Sequence, residues 1–237
     1  MTRHAPLGQI DDCRALALDV FGTILDLSGS LKPEIAKFLQ AREAAIGADE
    51  FWSAWRHRQR IEQYQDSLLM LGHSGYLETA RRGFVYCLDQ FGIRAPTHEI
   101  GEFMSIWDRL RPFPDVSPVL PLLAQRYRMV VLSNGEPEYL DHLVRNRICF
   151  QFDEVISVEV AGAFKPHPAV YRTAASLLKL EPGEIIMVSS NSFDVLGARA
   201  CGMRAAFVNR EKLPYEDSPF RPDITVCDFR DLDKALP

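Results

Sequence analysis

Four short polar clusters punctuate this sequence, and each follows an apolar run or a glycine break. Asp19 comes after Ala-Leu-Ala-Leu and leads into Val20-Phe21-Gly22-Thr23. Leu132-Ser133-Asn134-Gly135, Lys165-Pro166 and Val188-Ser189-Ser190-Asn191 are the next three, with Asp194 close behind the last. An acidic residue that closes a strand can do no more than cap the following turn. A turn cap, however, does not require a hydroxyl and an amide, a lysine and a second carboxylate at the ends of other strands. A carboxylate nucleophile does. The hydroxyl and amide hold a substrate, the lysine balances charge, and the second carboxylate handles protons.

The elements that must position these residues are legible as apolar runs. Residues 15–21, 129–132, 152–158, 184–188, 205–208 and 224–227 are short, apolar and flanked by turn residues, as strands buried on both faces are. Between them, residues 116–127, 138–146, 168–178 and 193–201 carry helical periodicity. Strands alternating with helices predict an α/β fold with a parallel sheet. Ligands in such sheets bind at the carboxyl ends of the strands, which is where Asp19, Ser133 and Asn191 fall.

Residues 28–110 differ: they hold no convincing strand, and Leu, Phe, Trp and Tyr recur at three- and four-residue spacing. Breaks near Gly47, Gly72-His73-Ser74-Gly75 and Arg94-Ala95-Pro96 divide the stretch into four helices. Pro112, Pro114 and Pro118 mark the return to the α/β pattern. The expectation is a doubly wound core from residues 1–27 and 112–237, with a helical cap from 28–111 placed to act as a lid. Trp52, Trp55, Phe84 and Tyr86 read as packing within that cap.

Composition sets outer bounds. Of 237 residues, 47% are hydrophobic and 25% charged, which is ordinary for a globular chain. A net charge of -5 argues against nucleic acid or an anionic membrane as partner, though not against a small anion met by local donors. The five cysteines are dispersed with no CxxC pair, so we expect reduced thiols rather than a disulfide framework or a metal site. Neither a secretory h-region nor a membrane-length apolar run is present, and a cytoplasmic protein is expected. The sequence leaves a homodimer open.

The four clusters resemble, in order and spacing, the four motifs of the haloacid dehalogenase superfamily, across essentially the whole chain. In most of that superfamily the first motif is Asp-x-Asp, whose second Asp serves as general acid in phosphoryl transfer and helps fix magnesium. Here that position is Phe21, whose ring can do neither. Asp19-Val20-Phe21-Gly22-Thr23, Leu132-Ser133-Asn134-Gly135, Lys165-Pro166 with Tyr171, and Val188-Ser189-Ser190-Asn191-Ser192-Phe193-Asp194 are instead similar to the L-2-haloacid dehalogenase branch. Trp55-Arg56 resembles the Trp-Arg pair on that branch's cap.

The resemblance implies a Rossmann-like core with an inserted helical cap. It also implies hydrolysis of short 2-haloalkanoic acids to 2-hydroxy acids through an aspartyl ester on Asp19, with no metal or organic cofactor. Losing the general acid at Phe21 costs nothing, because a halide leaves without a proton. Arg56, always protonated, is expected to receive the halide, beside Asn134 and the Phe193 ring. Ser133, with the backbone amides of Val20 and Phe21, is expected to bind the substrate carboxylate. Lys165 orients Asp19, and a cation there favours the charged carboxylate. Asp194, surrounded by Ser189, Asn191 and Tyr171, is expected to position the hydrolytic water, and Thr23 to hold the nucleophile or its loop. His57 stands where the branch often has Gln and bears on substrate choice; Tyr76 and Ile61 are expected near the pocket. The rivals are ring opening of an azetidine-2-carboxylate type of acid, a magnesium-dependent phosphatase, and an idle scaffold binding an organic acid or a protein. Retention of Asp19, Lys165 and Asp194 together speaks against idleness.

Overall fold

The computed structural model describes residues 10–237. Six parallel strands form the central sheet: β1 (Ala15–Leu18), β4 (Arg128–Ser133), β5 (Glu154–Ser157), β6 (Ile185–Ser189), β7 (Arg204–Val208) and β8 (Ile224–Val226). Their spatial order is β5-β4-β1-β6-β7-β8, so β1 lies between β4 and β6. Ala15 to Leu18 have no exposed surface, as expected of a strand covered on both faces. Ala17, Val130, Leu132, Met187 and Ala205 face α7 (Pro168–Leu178) and α8 (Ser192–Ala200). Leu16, Leu18, Val131, Ile186 and Val188 face the opposite layer, which includes α5 (Leu120–Leu123), α6 (Pro137–Leu143) and α9 (Phe229–Ala235). Alternating side chains therefore feed two helical layers, which makes the sheet doubly wound.

Register fixes where the chemistry emerges. Leu18 pairs with Val131 on one side and Val188 on the other. Asp19 follows directly, its backbone N–H donating to the Val188 carbonyl at 3.0 Å. The apolar run predicted as one strand through Phe21 stops at Leu18, because the chain turns there. The Val20 carbonyl accepts from the N–H groups of Ile24 and Leu25 at 3.1 and 2.9 Å, and Gly22 takes the positive φ of 85° that the turn needs.

The helical insertion leaves and rejoins the core through a two-stranded antiparallel ribbon, β2 (Leu25–Asp26) with β3 (Arg111–Pro112). Strands this short carry no periodicity, and the sequence pattern did not reveal them. Four helices lie between: α1 (Leu27–Gln40), α2 (Ala48–Leu68), α3 (Tyr76–Gln90) and α4 (Thr97–Met104). Asp26 caps α1 by accepting from the Gly29 N–H at 2.8 Å. Trp55 and Phe84 are fully buried against Phe103, whereas Trp52 is half-buried and Tyr86 exposed beneath Arg58. The helix expected over 116–127 shrinks to Leu120–Leu123, since Pro118 and Pro121 each withdraw an amide donor. The strand expected over 152–158 is Glu154–Ser157. Among the described residues no helix is long and apolar enough to cross a membrane.

Candidate active site

The turn after β1, the end of β4, the loop before α7 and the start of α8 converge on Asp19. Its carboxylate is nearly inaccessible, and its two oxygens are held unequally. Oδ2 accepts from Thr23 Oγ1 at 2.8 Å, from Asn191 Nδ2 at 2.8 Å and from Ser189 Oγ at 3.4 Å. Among the described residues, Oδ1 meets only the Lys165 ammonium, at 3.3 Å. Thr23 is itself fixed, accepting the Ser190 N–H at 2.8 Å, which ties the first cluster to the fourth.

Lys165 Nζ lies between two carboxylates, at 3.3 Å from Asp19 and 2.8 Å from Asp194. A buried cation is tolerated only when paired in this way. The Lys165 backbone N–H donates to Asn134 Oδ1 at 3.0 Å, so the second cluster positions the third. Asp194 is fully buried, and Tyr171 donates its phenolic proton to Oδ1 at 2.8 Å. Burial raises the Asp194 carboxyl above its ordinary value, against the opposing pull of Lys165. The Tyr171 hydroxyl is raised well above its own range by burial and by the Asp194 charge, so it stays a donor.

Above this network sits a small cavity between the carboxyl ends of the strands and the insertion, of about 20 Å³, room for one or two waters. Asp19, Phe21, Asn134, Lys165, Asn191 and Phe193 line it from the core. Arg56, Gln59, Arg60, Gln63 and Tyr76 line it from α2 and α3. Arg56 donates to Tyr76 OH at 3.2 Å and to Gln59 Oε1. The Phe21 ring stacks on Tyr76 with centroids 3.9 Å apart.

Not every expected residue reaches this wall. Thr23 and Ser189 stand behind it, bonded to Asp19, and Asp194 is bonded to Lys165 and held in turn by Tyr171. Ser133 is fully buried and outside the lining; its Oγ accepts from the Gly135 N–H at 3.5 Å. Val20 is also buried away from the cavity. His57, expected to bear on the substrate, is exposed, because one residue along a helix turns the side chain about 100° away from Arg56. Ile61 lies outside the lining for the same reason. Gln59, Arg60 and Gln63 were missed. Their signal was available: they lie three, four and seven residues beyond Arg56, a polar stripe on one helix face.

The magnesium alternative fits these residues poorly. The Lys165 ammonium already occupies the place between the two carboxylates, and the second-aspartate position carries the Phe21 ring.

A family model described as a haloacid dehalogenase-like hydrolase matches residues 13–202. The (S)-2-haloacid dehalogenase of Xanthobacter autotrophicus is 33% identical over 200 residues, covering 83% of this chain and 75% of that protein. Haloacetate dehalogenase H-2 of Moraxella sp. (strain B) is 29% identical over 214 residues, covering 90% and 92%. The solved L-2-haloacid dehalogenase structure from Xanthobacter autotrophicus superposes with a TM-score of 0.84 at 27% identity, covering 94% and 97% of the two chains. A second structure of that enzyme, with chloropropionic acid covalently bound, gives 0.80 at 26% identity over the same shares. With the motifs, the fold and these likenesses together, this chain belongs to the haloacid dehalogenase-like hydrolases, in the branch of the (S)-2-haloacid dehalogenases.

Proposed function

We propose that this chain hydrolyses short 2-haloalkanoic acids to 2-hydroxy acids through an ester on Asp19. The observation that carries the reading is the asymmetry of that carboxylate. Among the described residues, Oδ2 is engaged by three donors while Oδ1 meets only Lys165, and Asp19 lines the cavity. Oδ1 is thereby the oxygen left to attack. Its lone pair forms a bond to the substrate α-carbon from the face opposite the halogen; the carbon–halogen bond breaks, and the halide leaves with the electron pair. Arg56 stabilises the charge that develops on the halogen. Water then adds to the ester carbonyl and gives its proton to Asp194, whose raised affinity for protons makes it a stronger base than an ordinary carboxylate. Collapse of the adduct breaks the bond to the substrate oxygen, which leaves as an alkoxide and takes the proton back from Asp194; the hydroxy acid is released, Asp19 carries one new oxygen, and its carboxyl proton passes to solvent.

A single turnover with enzyme in excess in heavy-oxygen water tests this route. Label in the Asp19 peptide, with unlabelled product inverted at the α-carbon, is the expected result. Label in the product alone would recast Asp19 as a general base for direct hydrolysis. Metal independence belongs to the same reading and rests on the ring at Phe21: halide release should survive excess EDTA. Chelator-sensitive activity restored by magnesium would revive the phosphatase.

A further inference from the structure

Arg60 stands out among the residues lining the cavity. It lies one helical turn beyond Arg56 on α2, half-buried, with its guanidinium 4.6 Å over the Phe193 ring. Among the described residues it makes no hydrogen bond and no ion pair; Glu216 acts on it only through space, and that carboxylate is itself bonded to Ser192 Oγ. Contact with Phe193 accounts for the position of the guanidinium but leaves its N–H donors without an acceptor among the described residues. Arg56 differs, since Gln59 and Tyr76 hold it. Two guanidinium groups side by side in a small cavity repel, and burial and Arg56 both disfavour the charge on Arg60. Such an arrangement is stabilised when an anion arrives.

The charges around the cavity show which anion. Arg56, Arg60 and Lys165 are opposed by two carboxylates, Asp19 lining the cavity and Asp194 behind Lys165. An incoming monocarboxylate brings the set to neutrality. Without Arg60, the same substrate would add an unbalanced negative charge to a largely dry pocket, which is costly. Ser133, the side chain expected to bind that carboxylate, lies outside the lining. We propose that Arg60 pairs with the carboxylate of the acid substrate and makes the enzyme selective for small monoanions over neutral analogues of the same shape. The assignment rests on the dehalogenase reading for the identity of the acid, but not for the charge it must carry.

The test compares the wild-type chain with Arg60→Met and Arg60→Lys, each first checked for folding by circular dichroism and thermal melting. Halide release from 2-chloropropionate and from 2-chloropropionamide is measured, and binding of lactate and lactamide is followed by calorimetry. Arg60→Met should weaken lactate binding by about 10- to 100-fold, the scale of a hydrogen-bonded charge pair. The loss should appear in KM more than in kcat, lactamide binding should hardly change, and Arg60→Lys should recover part of it. Unchanged lactate affinity in Arg60→Met, or equal losses for lactate and lactamide, would overturn the assignment. If Arg60→Met does not fold, Arg60→Lys decides on the same lactate-to-lactamide ratio, which should fall and would overturn the proposal by staying fixed. Absence of halide release from every haloacid would sink the dehalogenase reading alone, because the lactate measurement still reads Arg60.

Discussion

At the scale of single residues, chemistry is divided between groups that face the cavity and groups that hold them. Arg56 faces it, fixed by Gln59 and the Tyr76 hydroxyl. A planar fork held on two sides is not replaced by a point charge. Arg56→Lys should therefore raise the barrier of the first step by about 2–4 kcal/mol, the cost of losing one preorganised donor. Stopped-flow halide release measures this, and near-normal turnover would mean the halide is stabilised elsewhere. Asp194 makes a second prediction. As the proposed base of the second step it would work only when deprotonated, and burial raises it. Ester hydrolysis should fall as pH drops through that raised value, above the range of an ordinary carboxylate. Asp194→Asn should let the ester accumulate at any pH, detected as a mass increase on the Asp19 peptide. Stability carries the opposite sign: the folded state takes up the proton more readily than the unfolded chain, so this group's contribution declines as pH rises through the window between the two values. Residues such as Asp19, Lys165 and Asn191 were legible because each ends or follows an apolar run. Arg60 carried a signal in its four-residue spacing from Arg56, but an arginine on a polar helix face reads as solvated until the facing element is known.

At the scale of elements, the site depends on how closely two helices approach. An added Cβ at Gly197 in α8 would lie 2.6 Å from Tyr171 OH and 2.7 Å from Pro166 Cβ. Tyr171 cannot retreat easily, because it is fully buried and bonded to Asp194. Gly197→Ala should destabilise the fold by about 1–3 kcal/mol through overpacking. It should also slow ester hydrolysis more than halide release, because the displaced phenol supports Asp194 and not Arg56. Denaturant melts and the two single-turnover rates separate these effects; equal slowing of both steps would mean that Tyr171 does not act through Asp194. Nothing in the pattern marks this glycine, which looks like any other small residue inside a helical stretch. Helix α7, by contrast, was legible from end to end, because its apolar spacing is regular and Pro168 opens it. The stretch around α5 misled for a physical reason: its apolar residues keep helical spacing while its prolines remove the amides a helix needs.

At the scale of the whole molecule, the cavity lies where the helical insertion rests on the carboxyl ends of the strands. Among the described residues, Tyr139, His142 and Arg147 of the core bond backbone carbonyls of residues 107–110, and three further polar contacts join insertion and core beside the site. His73 Nε2 donates to the Asn134 carbonyl at 2.8 Å, the Phe164 N–H donates to Ser67 Oγ at 3.0 Å, and the Leu77 N–H donates to Glu136 Oε1 at 3.3 Å. Each ends on or beside a residue of the motif loops, so closure and site assembly are one event. The stretch 72–75 was read from sequence only as a break between helices; the histidine within it reaches across to the core, a long-range contact that no local pattern encodes. His73 also packs on Phe164, next to Lys165, with ring centroids 4.2 Å apart. His73→Ala removes both contacts and leaves the Asn134 carbonyl without this donor, a loss of about 1–3 kcal/mol. That energy is spent on closure rather than on either body alone, so the closed population should fall by roughly tenfold while the melting temperature moves little. The expected signature is a raised KM together with faster amide hydrogen exchange in residues 69–77 and in the 133–136 loop. Exchange and KM both at wild-type values would show that the loop carrying His73 contributes nothing to closure.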